Sequence, residues 1–155
     1  MVKTNVMRLL TQAGIEYSTR EYPVDENDLS GVHVANVLGL PPEEVFKTLV
    51  TVGPKGEHFV FVIPVAEELN LKKAAKAAGV KSIEMIKMKD LLPLTGYIRG
   101  GCSPIGMKKP FPTFMDETAI LFDTVSVSAG QRGTQVVLNA EDLMNYVGGS
   151  FADLV

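Results

Sequence analysis

The sequence predicts a single α+β domain, on three observations. A chain of 155 residues holds one core, since two would each be small and poorly buried. Hydrophobic residues make up 46% and charged residues 21%, which leaves enough apolar surface to offset the entropy of ordering the chain. The elements run helix, strand, helix, two strands, helix, strand, irregular loops, several strands and helix, which departs from the regular alternation of a doubly wound fold.

Taken in order, Val6, Leu9, Leu10 and Ala13 recur at helical spacing, with Thr4 as N-cap and Gly14 as stop. Tyr17 to Tyr22 mixes aromatic and β-branched residues with charges, the pattern of an exposed strand near an edge that ends at Pro23. After the acidic loop Asp25-Glu26-Asn27-Asp28, Ser30 caps a helix through Leu38, and Gly39 supplies the positive φ at which such helices stop. Pro41 and Pro42 then turn the chain. The clearest hairpin joins two apolar, β-branched runs, Val45 to Val52 and His58 to Ile63, through Gly53-Pro54-Lys55-Gly56. Asn70 caps a helix over Leu71 to Ala78 closed by Gly79, in which Lys72, Lys73 and Lys76 leave one face basic.

Ser82 to Ile86 reads as a short strand, and Lys89 to Leu92 as a helical turn before Pro93. From Gly96 to Pro112 glycine and proline are too dense for regular helix or central strand, so this stretch is a shaped loop. Val125 to Ala129 and Gln135 to Leu138 form a second hairpin around Gly130-Gln131-Arg132-Gly133, and Asn139 caps a closing helix through Val147.

Composition narrows the function. A formal net charge of -3 gives the whole molecule no general attraction for polyanions, so any nucleic-acid contact must come from a local basic patch. The single Cys102 cannot form an intramolecular disulfide, and with His33 and His58 as the two histidines no spacing resembles a structural zinc site; a reducing cytoplasm fits. The segment Met1-Val2-Lys3-Thr4-Asn5 is polar where a secretory signal places its apolar run, and no apolar stretch is long enough to span a bilayer, so a soluble protein is expected.

Among residues that could carry chemistry, Lys47 shares a strand face with Val45 and Leu49. Either its stem packs on apolar neighbours while the ammonium reaches water at a sheet edge, or it stands in a pocket. In a pocket, low-dielectric walls would strengthen its attraction for a carbonyl, ribose hydroxyl or phosphate. Gly100-Gly101-Cys102-Ser103-Pro104-Ile105-Gly106 is either an ordinary turn cluster or a loop that brings backbone N–H groups up to a ligand oxygen.

Lys108 and Lys109 follow that loop directly; they read as solvated surface or as phosphate contacts, with Lys72, Lys73, Arg99 and Arg132 joining them if the fold converges there. Neither histidine is spaced to serve Cys102 as a base, so this cysteine reads as a buried small residue rather than a nucleophile. Tyr22 and Ser128, each at a strand end, are either pocket residues or structural ones.

Several segments then act together: Tyr22 in Glu-Tyr-Pro, Val45-Phe46-Lys47-Thr48-Leu49, Asn70-Leu71-Lys72-Lys73-Ala74-Ala75, Thr95-Gly96-Tyr97, Gly100 through Lys109, and Val127-Ser128-Ala129-Gly130-Gln131-Arg132-Gly133. In this order, and as far as Phe151-Ala152-Asp153, the sequence resembles the YbaK/EbsC family of free-standing aminoacyl-tRNA deacylases, related to the editing insertion of bacterial prolyl-tRNA synthetases. The resemblance implies one editing domain over residues 1–155, built as a mixed, partly closed sheet or barrel surrounded by helices. It assigns the functional lysine to Lys47. The aminoacylated 3′ end is expected against Tyr22, Thr48, Gly100, Gly101, Cys102, Ser103, Pro104, Ser128 and Gly130, and the tRNA against Lys108, Lys109 and Arg132. No metal or cofactor is implied. Ala129 replaces what is often a second glycine, a departure that alters this wall.

Family members closest to this pattern clear cysteine mischarged on proline tRNA, using the substrate's own thiol, while wider relatives remove alanine or other small residues. The sequence has no credible Ser-His, Cys-His or metal constellation, which suits a pocket that merely orients an ester for attack by a group already on the substrate. Lys47 and the backbone of Gly100 and Gly101 are then expected to position the ester, with release of a cyclic thioester. Prolyl-tRNA synthetase is the expected partner, supplying binding surface that an acidic protein lacks. Two alternatives stay open at this point: a non-catalytic module that binds a protein or uncharged RNA, and a hydrolase of small amino-acid esters.

Overall fold

A computed structural model describes residues 3–155; Met1 and Val2 of the polar N-terminal segment lie outside the described residues. Thr4 accepts a hydrogen bond from the Met7 amide at 3.3 Å and caps α1 (Asn5–Gln12), whose buried face is Val6, Met7 and Leu10. The strand β1 (Tyr17–Glu21) follows, then α2 (Gly31–Leu38), capped by Ser30 and ended by Gly39 in the left-handed region. After a 3-10 turn at Pro42–Glu44 come the hairpin strands β2 (Phe46–Val52) and β3 (His58–Pro64).

The helix α3 (Leu71–Ala78) has Asn70 and Gly79 at its two ends. A short β4 (Glu84–Met85) and α4 (Met88–Thr95) lead into the glycine- and proline-rich loop. The chain closes with β5 (Thr113–Asp116), a 3-10 segment at Glu117–Leu121, β6 (Val125–Ser128), β7 (Thr134–Leu138), α5 (Ala140–Val147) and β8 (Ser150–Ala152).

These strands form two sheets, β1-β7-β6 and β4-β2-β3-β5-β8. The smaller sheet is antiparallel, whereas β5 joins β3 and β8 in parallel, so the larger sheet is mixed. The two are linked by a parallel bridge between Val45 and Ser126 and do not close into a barrel. The mixed, partly closed arrangement implied by the family resemblance is therefore two sheets in contact at one seam.

β3 is buried on both faces, which explains its uninterrupted apolar run. Val60 and Val62 face a core with Val6, Leu10, Val127, Val136 and Leu143, while Phe61 and Ile63 face a second cluster with Ala74 and Leu154.

The structure departs from expectation at α4, which continues through Pro93 to Thr95 instead of stopping before it. Proline removes one helical N–H at that point. The last turn is held by other bonds: the Thr95 hydroxyl donates to the Leu91 carbonyl at 2.7 Å and accepts from the Tyr97 amide at 3.0 Å, and the Gly96 amide donates to Leu92 at 2.9 Å. The strand expected over Ser82 to Ile86 pairs at Glu84 and Met85 alone, opposite Val52 and Thr51. Between that pairing and the bridge at Val45, no strand covers the outer edge of β2 among the described residues. The Ile86 amide still donates to the Val50 carbonyl at 3.3 Å, so the gap in pairing falls on Phe46 to Leu49 and opens a hollow between the sheets.

Candidate active site

The hollow is a cavity of about 380 Å³. Its floor is the uncovered stretch of β2, and its other walls come from the start of α2, the β4–α4 segment, the loop at Arg99 to Cys102, and the paired ends of β6 and β7. Of the expected site residues, Lys47, Thr48, Tyr22, Gly100, Cys102 and Ser128 all line it. They come from four segments far apart in sequence, and the bridge at Val45–Ser126 sets the Ser128 end of β6 beside the Lys47 stretch of β2.

Lys47 lines this cavity, on the stretch of β2 whose outer edge no strand covers among the described residues. Among the described residues the ion pairs are His33–Asp28 and Lys73–Asp153, so the Lys47 ammonium carries none. Desolvation by burial lowers its pKa from the ordinary lysine value, and the fields of Glu68 and Glu67 oppose that shift. The neighbouring Thr48 Oγ1 is the one buried side-chain polar atom without a hydrogen-bond partner among the described residues. A hydroxyl so placed costs free energy until something accepts its proton or donates to it. Ser128 accepts the Gly130 amide at 3.2 Å, which leaves its own proton available to donate.

The glycine loop serves the cavity unevenly. Gly100 adopts φ 84, a conformation open to glycine, and lines the wall. Gly101, whose N–H was expected at the ester, is outside the lining, and its amide donates to the Ile98 carbonyl at 2.9 Å, closing a turn. Its place is fixed by crowding, since a Cβ there would lie 3.1 Å from the Gln131 Cα and 3.2 Å from the Arg132 nitrogen. Ser103, Pro104 and Gly130 likewise stand outside the cavity lining. Ser103 is buried and accepts the Ile105 amide at 3.3 Å, Pro104 is buried, and Gly130 faces Tyr97 and Val6. These residues shape the loop from behind.

Cys102 lines the wall, and burial pushes the pKa of its thiol up to about 12, so it stays protonated at neutral pH. Neither histidine lines the cavity: His33 faces Asp28 at 3.7 Å, and His58 packs against Phe111 with ring centroids 5.5 Å apart. The protein therefore brings no imidazole to this hollow.

A family model described as an aminoacyl-tRNA editing domain matches residues 30–146, which includes β2, the glycine loop and the β6–β7 hairpin. The chain belongs to the aminoacyl-tRNA editing domain family. A protein of Enterococcus faecalis with the provisional name Cys-tRNA(Pro)/Cys-tRNA(Cys) deacylase EbsC is 49% identical over 152 residues, covering 98% of this chain and 93% of that relative. A crystal structure described provisionally as a trans-editing enzyme for prolyl tRNA synthetase superposes with a TM-score of 0.83 at 25% identity, covering 96% of this chain and 93% of that one. A hypothetical protein of known structure shares the fold with a TM-score of 0.87 at 21% identity, covering 96% and 97% of the two chains.

Within this editing domain the residues expected to meet tRNA are dispersed. Lys108 and Lys109 are exposed and do not line the cavity. Arg132 donates from Nε to the Arg99 carbonyl at 2.8 Å, which pins the glycine loop to the β6–β7 turn. Arg99 itself lines the cavity, as does Gln135, which sequence reasoning passed over. The second could have been found from hairpin register, because Gln135 stands directly opposite Ser128. No helix among the described residues is long and apolar enough to cross a membrane.

Proposed function

We propose that this editing domain is a deacylase that releases cysteine from Cys-tRNA(Pro), with the substrate's own thiol as nucleophile. The single observation that carries the reading is a cavity in which, among the described residues, the Lys47 ammonium has no ion-pair partner and the Thr48 hydroxyl no hydrogen-bond partner, while the protein's own thiol is held protonated and both histidines lie elsewhere. Such a site is built to hold an ester rather than to attack it. The 49% identity to the relative named for Cys-tRNA(Pro) and Cys-tRNA(Cys) deacylation supports cysteine as the amino acid.

In the proposed step the substrate sulfur attacks the carbonyl carbon of its own ester. The new C–S bond closes a cyclic thioester, the C–O bond to the ribose breaks, and the ribose oxygen takes the proton that the thiol gives up. The Lys47 ammonium and the backbone amide of Gly100 stabilise charge gathering on the carbonyl oxygen, a type of contact worth about 10²–10³ in rate. The hydroxyls of Thr48 and Ser128 hold the acyl group and ribose in the attacking geometry.

The acidic whole, net charge -3, gives little long-range pull on tRNA, and this supports prolyl-tRNA synthetase as the partner that delivers the acceptor end. The test is product analysis on Cys-tRNA(Pro), with and without the synthetase. Intact tRNA, a trapped cyclic thioester and faster turnover with the synthetase are expected, together with a loss of about 10²-fold or more in Lys47→Ala. Water oxygen found in all released cysteine with no thioester trapped, or full activity in Lys47→Ala, would reject the mechanism.

A further inference from the structure

Among the described residues, no aspartate or glutamate lines the cavity. Its two charged side chains, Lys47 and Arg99, are both positive, and the remaining polar side chains are Tyr22, Ser30, Thr48, Cys102, Ser128 and Gln135. The acidic groups nearby stand outside that lining. Glu67 and Glu68 are exposed in the turn after β3 and act on Lys47 from outside the lining, while Asp25 and the His33-paired Asp28 line a smaller pocket that adjoins the cavity at Tyr22, Leu29, Val34 and Gly100.

An aminoacyl ester carries an α-amino group, and in this hollow its ammonium form would lose hydration beside two like charges, with no carboxylate in the lining to pair with it. The uncharged amine avoids both penalties. Free α-amino groups titrate at about 7.7–8.0, so near neutral pH the uncharged form is readily populated.

Gln135 supplies the matching wall. It is 6% exposed, stands opposite Ser128 in the hairpin register, and its side-chain carbonyl accepts the Ser126 hydroxyl at 2.9 Å. Its amide nitrogen makes no hydrogen bond to the protein among the described residues, which leaves N–H donors on a surface otherwise rich in donors and cations. A neutral amine offers such donors a lone pair, as a hydroxyl does; an ammonium offers none.

We propose that the cavity receives the aminoacyl group with its α-nitrogen uncharged, and that Gln135 is the specificity-determining residue that reads it. This deepens the deacylase reading and rests on it, because it takes the occupant to be an aminoacyl ester. The amine is a spectator in the thiol attack, so the reaction places no demand for its positive charge.

The experiment measures calorimetric binding of two non-hydrolysable mimics of the charged 3′ end: 3′-cysteinylamino-3′-deoxyadenosine, and its isostere with a hydroxyl in place of the α-amine. For the unaltered protein, equal affinities at pH 8.5 and at least fivefold tighter binding of the hydroxyl compound at pH 6 are expected. Tighter binding of the amine at pH 6 overturns the proposal without any variant. Gln135→Glu keeps an acceptor for Ser126 and adds the missing carboxylate, so at pH 6 it is expected to reverse the preference toward the amine by about tenfold. An unchanged ratio in a folded Gln135→Glu protein removes Gln135 from the role. Deacylation of Cys-tRNA(Pro) recorded on the same samples reports separately on the reaction: its absence sinks the deacylase reading, whereas the ratio of the two affinities tests the amine.

Discussion

Thr48 carries the sharpest test at the scale of single residues, because stability and activity should part company there. Its buried side-chain oxygen has no partner among the described residues, a penalty of about 1–3 kcal/mol in a typical fold. Thr48→Val keeps the shape and removes the oxygen. Thermal and urea melts are expected to show unchanged or raised stability, while kcat/KM for Cys-tRNA(Pro) falls about tenfold through loss of a single hydrogen bond. A parallel fall in both would assign Thr48 to the fold alone.

Lys47 makes a similar prediction in pH. Its folded-state pKa is lowered by burial, so between that value and 10.5 the unfolded chain binds more protons than the folded one, and stability rises with pH in that window. Lys47→Met should therefore be more stable than the unaltered protein at pH 7, with the margin shrinking toward pH 10.5. Urea titrations across that range check the sign.

At the scale of elements, the loop from Arg99 to Cys102 depends on close contact with the β6–β7 turn. Gly101→Ala sets a Cβ 3.1–3.2 Å from backbone atoms of Gln131 and Arg132, which have less freedom to yield than a side chain. The expected loss is about 1–3 kcal/mol in urea unfolding, with activity reduced as the Gly100 wall shifts.

Elements whose signals are local were legible in the sequence. Thr4, Ser30, Asn70 and Asn139 cap the helices they were expected to cap, and the hairpin of β2 and β3 falls where Gly53-Pro54-Lys55-Gly56 placed it. β5 and β8 were not assigned, because both are short and pair in parallel with partners distant in sequence. The passage of α4 through Pro93 was hidden too, since the Thr95 bonds that sustain its end form only in the folded chain.

At the scale of the whole molecule, the site is the place where two sheets meet at one bridge and then part. That geometry explains which site residues were readable. Lys47 stood out as a charge on an apolar strand and Gly100 as part of a glycine pair. Arg99 enters the cavity from a loop whose docking periodicity does not encode, whereas Gln135 was within reach of the hairpin register opposite Ser128. Ser103, Pro104 and Gly130 stay outside the cavity, although Ser103 directly follows Cys102, which lines it.

The central claim is that this hollow positions an ester for attack by a sulfur that arrives with the substrate. The most direct measurement compares ester loss from Cys-tRNA(Pro) and Ser-tRNA(Pro), which differ in that one atom, with and without the protein. Acceleration of about 10²-fold or more for the cysteinyl ester, with the seryl ester at its spontaneous rate, is the predicted result. Equal acceleration of both esters, or of neither, would contradict it.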